Sequence, residues 1–300
     1  MNRKILLALT IVLSVSTLTS KAQKTAPSWT IDVGQNKKKE RTREFYFSWG
    51  YNSESYTRSN LTINQPSLGN NFVFESIDAH DHKGWDEGIF HLALSIPQYN
   101  YRLGLIINKE KDWGVEINFD HTKYIFADQH AHLVGTLDHR PVDTLINFNL
   151  NNGFYYYLNN GANFLLFNFV KRWHWMADKS GNIKVDVLGK AGVGPVIPHV
   201  QNAFFSNDST STEFRQQGND PHFQIGGWNI GVEGALRITF FKYAYLEYCN
   251  KFDYARYSNL KIYNGGNTST TLQNNGTAKQ AFGTYEEILN LGVTFPVGKR

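Results

Sequence analysis

One cysteine, Cys249, stands alone in 300 residues, so no intramolecular disulfide can hold this chain together. Beyond about residue 22 no apolar run approaches the roughly 20 residues that a membrane-spanning helix needs. No segment shows convincing amphipathic-helix periodicity, and charged residues make up only 19% of the chain. The formal charge of +4 is too mild to specify nucleic acid as a partner. Walker loops, dinucleotide fingerprints and zinc-finger spacings are also missing. The pair Gly192 and Gly194 falls inside a strand pattern with no helix after it, where glycine relieves barrel curvature. Helical membrane spans, disulfide scaffolds and phosphate-binding α/β domains are thereby set aside.

What the chain has instead is aromatic side chains, 15% of all residues, with 16 Tyr and 21 Phe. Such richness is usual for strands that meet a membrane interface. Residues 223–257 show the pattern most clearly, as two long strands folded over the tight turn at Phe241 and Lys242. Trp228, Ile230, Val232, Leu236, Ile238 and Phe240 alternate with Asn229, Glu233, Arg237 and Thr239. Across the turn, Leu246, Tyr248, Phe252 and Tyr254 alternate with Glu247, Cys249, Lys251 and Asp253. Successive strand side chains point to opposite faces, so one surface is apolar and the other carries charges of both signs. A soluble sheet would turn the apolar face inward, as in a lipocalin-like barrel, whereas a membrane barrel turns it out to lipid.

The rest of the chain decides between them. Residues 1–22 read as a secretory signal peptide, with Arg3 and Lys4 before an apolar core and Ser20-Lys21-Ala22 as the cleavage site. Residues 23–42 form a polar periplasmic tail, and 43–300 the barrel with its long loops. Strand patterns recur at 44–52, 97–107, 113–120, 163–175, 183–196 and 284–297, which with the hairpin at 223–257 make eight; residues 72–77 could raise the number to ten. Three connections are short and four are long (53–95, 127–161, 198–222 and 258–279), and from a periplasmic N-terminus all the short ones fall on one side. That asymmetry predicts an all-β, antiparallel, up-and-down transmembrane barrel in the outer membrane of a Gram-negative bacterium. Trp113, Trp173, Trp175, Phe240, Phe241, Tyr243 and Phe295 would gird its periplasmic end, and Tyr99, Tyr124, Phe126, Trp228 and Tyr254 the other rim.

The segments Gly50-Tyr51-Asn52, Ile96-Pro97-Gln98-Tyr99-Asn100-Tyr101-Arg102 and Phe119-Asp120-His121-Thr122-Lys123-Tyr124 resemble outer-membrane barrel proteins of the Bacteroidota. The resemblance spans most of the chain after residue 22; it implies the barrel fold and brings no activity with it. The ending Pro296-Val297-Gly298-Lys299-Arg300 departs from the usual barrel terminus.

Candidate chemistry falls into two groups. Arg102, Glu116, Asp120, Lys184, Asp186, Lys190, Glu233, Arg237, Glu247, Lys251 and Asp253 face the lumen, where both signs in nearly equal numbers suit an interlocked plug. Nine of the ten histidines lie in or beside the long connections: His80, His82, His91, His121, His130, His132, His139, His199 and His222. His80/His82 and His130/His132 put paired imidazoles on one side of an extended segment, a spacing suited to a divalent metal. His121 with Asp120, or His80 with Asp78 or Asp81, could instead supply a general base at the outer rim. No cofactor is expected. The leading expectation is a structural or surface-binding protein, probed through its loops by an extracellular ligand or lipopolysaccharide. The alternative is an enzyme that adds or removes acyl chains on lipid A or phospholipid. Expected partners are outer-membrane lipids and the barrel-insertion machinery, not nucleic acid, and the protein is expected to be a monomer.

Overall fold

Valine 232 is 56% exposed and its neighbour Glu233 only 5%. That single step settles which way the alternation faces: apolar groups out, charges in. The computed structural model describes residues 43–82, 98–149, 154–158, 161–204, 223–263 and 274–298. The proposed signal peptide and tail (1–42) lie outside the described residues, as do His91 and His222.

In chain order the strands are β1 (Arg43–Tyr56), β2 (Ser59–Gln65), β3 (Asn70–Ile77), β4 (Ala79–His80), β5 (Tyr99–Asn108) and β6 (Trp113–Asp120). There follow β7 (Tyr124–Phe126), β8 (Gln129–Leu137), β9 (Arg140–Phe148), β10 (Tyr155–Leu158), β11 (Phe164–Ala177) and β12 (Ile183–Val196). The last four are β13 (Gln201–Ala203), β14 (Gly227–Phe240), β15 (Ala244–Tyr263) and β16 (Asn274–Val297).

Eight of these close a ring in the order β1-β5-β6-β11-β12-β14-β15-β16, with β16 pairing back onto β1 from Arg43↔Val297 to Tyr56↔Thr284. Closure leaves no open edge in the bilayer, where an unpaired backbone N–H or C=O would cost several kcal/mol. The register runs Asn290, Gly50, Asn100, Asp120, Phe164, Val196, Gly227, Tyr257 and back to β16 at Gln280, a stagger of ten residues. Stagger of this kind is what tilts barrel strands by roughly 35–45°. The ten-strand possibility fails because β3 pairs with β2 and β8 and never enters the ring.

The outward side chains form the apolar belt. Phe47, Trp49, Leu103, Val115, Ile117, Phe167, Phe169, Val193, Ile230, Leu289 and Leu291 are all exposed. Trp173, Trp175, Phe241, Tyr243 and Phe295 are exposed at the rim that carries the three short turns, as an interfacial girdle should be. The turn after β14, closed by the Tyr243 N–H on the Phe240 carbonyl at 3.1 Å, has positive φ at both central residues, Phe241 (53°) and Lys242 (71°), here without glycine or asparagine.

At the opposite rim the pattern reverses. Along β15, Ala255, Tyr257, Leu260 and Ile262 are buried, whereas Arg256 and Lys261 face out. A bulge between Tyr257 and Leu260 shifts the parity by one, so that Leu260 and Ile262 continue to point inward. Above the belt these strands therefore behave like those of a soluble protein. Together with β2, β3, β7, β8, β9 and β10 they enclose one apolar cluster that includes Phe72, Phe74, Tyr124, Phe126, Phe148, Tyr156, Tyr257 and Phe282. Tyr124 and Phe126 thus belong to this core and not to the outer girdle: Tyr124 stacks on Phe282 at 4.2 Å and shares a hydrogen bond with Ser59 at 2.7 Å. The four expected long loops are, in their described parts, largely sheet, because each supplies inward apolar side chains to this shared core.

Close approach inside the belt relies on glycine at two places. The ring of Tyr46 lies where a side chain on Gly104 would be, and that of Tyr245 where one on Gly292 would be. Gly292→Val should evict the Tyr245 ring and cost about 1–3 kcal/mol, as overpacking does. The check is the urea unfolding midpoint of the protein folded into lipid vesicles; an unchanged midpoint would refute the packing assignment.

Candidate functional site

The inward face of the ring brings polar residues from all eight strands into a space that water barely reaches. Beginning at the short-turn rim, Arg172 is clamped by Glu44 at 2.6 Å and by Asp112 at 2.8 Å. His174 lies between Asp186 at 2.6 Å and Asp112 at 3.1 Å. Glu44, Arg172, His174 and Asp186 border a cavity of about 800 Å3 that opens at this rim, which Lys184 also lines. Lys184, expected inside the lumen, is exposed at this mouth because β12 is leaving the barrel there.

Deeper in, the Arg237 guanidinium is sandwiched between the rings of Tyr46 (4.3 Å) and Tyr245 (4.1 Å) and reaches Glu247 at 2.6 Å. Lys190 meets three carboxylates, Glu233 at 2.7 Å and Glu116 and Glu247 at 3.0 Å each. Arg102 joins Asp120 at 2.5 Å, and Lys251 gathers Asp120, Asp253 and Glu286 within 3.0 Å. Carboxylates outnumber cations here, since Glu54 and Glu286 also face inward. Each lysine therefore serves several acids. Arg102, Arg237 and Lys251 are among the largest fully buried side chains, so the lumen is filled by its own side chains and not by a water column.

Among the described residues one group of three metal-ligating types converges: Glu233, Glu247 and Cys249. The Lys190 ammonium already bridges its two carboxylates. No histidine belongs to this group.

The sequence-selected residues separate in space. Asp120 points into the lumen, onto Arg102 and Lys251. His121, next in the strand direction, turns the other way: its ring stacks on Tyr99 at 4.6 Å and its Nδ1 meets Asn163 Oδ1 at 2.8 Å. The Asn163 amide nitrogen donates to the Ile197 carbonyl at 2.9 Å, which fixes its oxygen toward His121. His121 Nδ1 is then the donor, and Nε2 is left as the acceptor. His80 is exposed, with Nδ1 on the Asp81 carbonyl at 2.8 Å, while the Asp81 carboxylate caps the Glu54 amide at 2.8 Å. The backbone N–H of His82 donates to Gln98 Oε1 at 2.9 Å. His130 and His132 do share the outer face of β8, as their spacing required. His132 bridges neighbouring strands, with Nδ1 2.9 Å from Glu75 on β3 and Nε2 2.7 Å from Asp143 on β9.

Sequence reasoning did not mark Glu54, Glu286, Tyr245, Arg172 or His174 as groups of the lumen or its mouth, although it read the outward faces of their strands correctly. It also missed Glu287. This residue shares the outward face with Leu289, Leu291, Val293 and Phe295, and its parity with them was the available signal.

Neither a family model nor a curated protein matches the chain. Solved structures that resemble it include the outer membrane protein OprG from Pseudomonas aeruginosa, 8% identical with a TM-score of 0.35 over 86% of this chain and 98% of that one. The outer membrane protease OmpT from Escherichia coli is 10% identical, TM-score 0.34, over 86% and 98%. The attachment invasion locus protein Ail of Yersinia pestis, crystallised with the heparin analogue sucrose octasulfate, is 13% identical, TM-score 0.28, over 85% and 99%. All three are outer-membrane proteins, and at such distances they bring no activity to this chain.

Two outcomes test the site. Lys251→Met leaves Asp253 and Glu286 without their cation and should cost about 3–5 kcal/mol in vesicle-based unfolding. A loss near zero would show that the network contributes nothing. The second concerns His132, whose hydrogen bonds to Asp143 and Glu75 raise its pKa above the ordinary value. A raised histidine pKa stabilises the fold fully below the unfolded value of about 6.5, and that stabilisation is lost as pH rises through the folded value. Amide exchange in β3, β8 and β9 should therefore quicken over that window, and His132→Gln should flatten the dependence. Equal pH profiles for both proteins would count against the triad.

Proposed function

We propose that the protein is an integral outer-membrane barrel, lying with its short turns in the periplasm, that acts without catalysis as a stem for a folded extracellular head. The head presents a binding surface to an extracellular ligand or to lipopolysaccharide. One observation carries this reading: the lumen is sealed by buried ion pairs, while the strands continue beyond the belt and wrap a second, apolar core. A sealed stem suits neither a porin nor a transporter, and so large a folded head has a surface to offer. The protein is proposed to act as a monomer, with lipids of the outer leaflet as neighbours.

The acyl-modifying alternative needs a nucleophile and an orienting carboxylate near a base. His121 is oriented by an amide, and its sequence neighbour Asp120 is committed to the lumen.

Purified protein incubated with lipid A should leave the lipid's mass spectrum unchanged, and in planar bilayers it should leave conductance at baseline. Loss or gain of an acyl chain that disappears in His121→Ala would overturn the non-enzymatic reading. Steady single-channel currents would overturn the sealed stem. Recovery of the mature protein from the soluble periplasm without detergent would remove the membrane placement altogether.

A further inference from the structure

A carboxylate interrupts the apolar belt. Glu287 on β16 is exposed on the outward face, in line with Leu289, Leu291, Val293 and Phe295 on the side of the short turns and Tyr285 on the other. Its row partners across the sheet, Ser53 on β1 and Asn250 on β15, are polar too. Tyr248 Oη donates to Glu287 Oε1 at 3.1 Å, and Tyr285 Oη to Asn250 Oδ1 at 2.5 Å. The notch is a cavity of about 220 Å3 on the outer wall, lined by Tyr51, Ser53, Tyr248, Glu287 and Leu289. An ionisable group facing lipid is costly unless partners meet it; the Tyr248 and Tyr285 hydroxyls lie against Glu287, and its carboxylate still accepts further N–H or O–H groups. What it calls for is a donor that arrives from the bilayer itself.

Farther out on the same wall the charge changes sign. Arg256 on β15 aligns with Trp228 and Ala281, just past Tyr254, where the belt ends. Lys279 on β16, paired with Thr62, and Lys261 on β15 are exposed beyond it. Among the described residues none of these three cations has an acidic partner. Between cation and carboxylate lie Phe252, Tyr254 and Tyr285, with the Phe252 and Tyr285 rings 5.0 Å apart. From Glu287 to the Ala281 row is six residues, roughly 20 Å of tilted strand at about 3.3 Å each. Long side chains stand at its two ends, Arg256 on one and Glu287 on the other.

We propose that this wall of β15 and β16 binds a phosphorylated outer-leaflet lipid whose acyl chains are amide-linked. Its phosphate lies on Arg256 and Lys279, its amide N–H or acyl hydroxyl on Glu287, and its chains along Leu289 and Leu291. The site rests on the outer-membrane placement proposed above and adds the chemistry of the lipid. The two ends read different groups, so neither a phosphate nor an amide alone fills the site.

The test uses the full chain in phosphatidylcholine nanodiscs doped with lipid A (phosphate and amide), phosphatidylglycerol (phosphate, ester-linked) or ceramide (amide, no phosphate). Retained lipid is counted by native mass spectrometry. Lipid A should be retained about tenfold over either of the others. Glu287→Leu should bring lipid A down to the phosphatidylglycerol level, and Arg256→Ala with Lys279→Ala to the ceramide level. Equal retention of the three lipids by the unaltered protein, or unchanged selectivity in both variants, would overturn the proposal. The shift in gel mobility between unheated and boiled samples reports insertion separately. A protein that never inserts refutes the membrane placement, whereas one that inserts without preference refutes this site alone.

Discussion

A strand exposes its two faces in strict alternation, and in this protein the medium outside the wall changes partway along each long strand. That constraint governs everything else. Below Tyr254 the outer medium is lipid, so Leu246, Tyr248, Phe252 and Tyr254 face out and Glu247, Lys251 and Asp253 face in. Above it the outer medium is water, so Arg256 and Lys261 face out and Tyr257, Leu260 and Ile262 face in. One continuous ladder of backbone hydrogen bonds carries both regimes. The bulge after Tyr257 supplies the single-residue adjustment that keeps the upper core aligned.

The two interiors do different work as a result. The lower one must satisfy charges that cannot reach water. It does so by sharing, with Lys190 and Lys251 each meeting three carboxylates and Arg237 held between two tyrosine rings. Such a network specifies one arrangement because its partners are shared, and losing Lys251 would leave both Asp253 and Glu286 unpaired. The upper interior gains by burial of aromatic and aliphatic surface, with Tyr124, Tyr257 and Phe282 stacked at its base. The stem is rigid and sealed for one reason, and the head is folded for another.

Histidine illustrates how the head uses its polar residues. His132 ties three strands across the outer face of the sheet, and His121 is held against Tyr99 and Asn163 where β6 leaves the belt. Both positions join strands that are distant in sequence. Glu287 differs from them, since it lies on the outward apolar face of the ring, where Tyr248 of the neighbouring strand meets one of its oxygens.

Much of this was legible from residue order. Alternation over residues 223–257, the three short turns and the girdle of Trp173, Trp175, Phe241 and Tyr243 sufficed for an eight-stranded membrane barrel, because period-two patterning and turn length are local properties. They also marked Arg102, Glu116, Lys190, Glu233 and Arg237 as inward. Local pattern could not show that residues 53–95 and 127–161 contribute strands to a second core. Their short, mixed segments bury apolar groups only against partners far away in the chain, as Phe74 does against Phe148. Nor could it show that Asp120 and His121 part company, since adjacency in a strand means opposite faces and the partners on each face come from elsewhere. The sequence by itself determined the stem, whose medium is uniform and whose rule is periodic. Only the tertiary structure decided the head, the sharing of charges in the lumen and the neighbours that line the notch at Glu287, because each depends on which distant strands closure and stagger bring side by side.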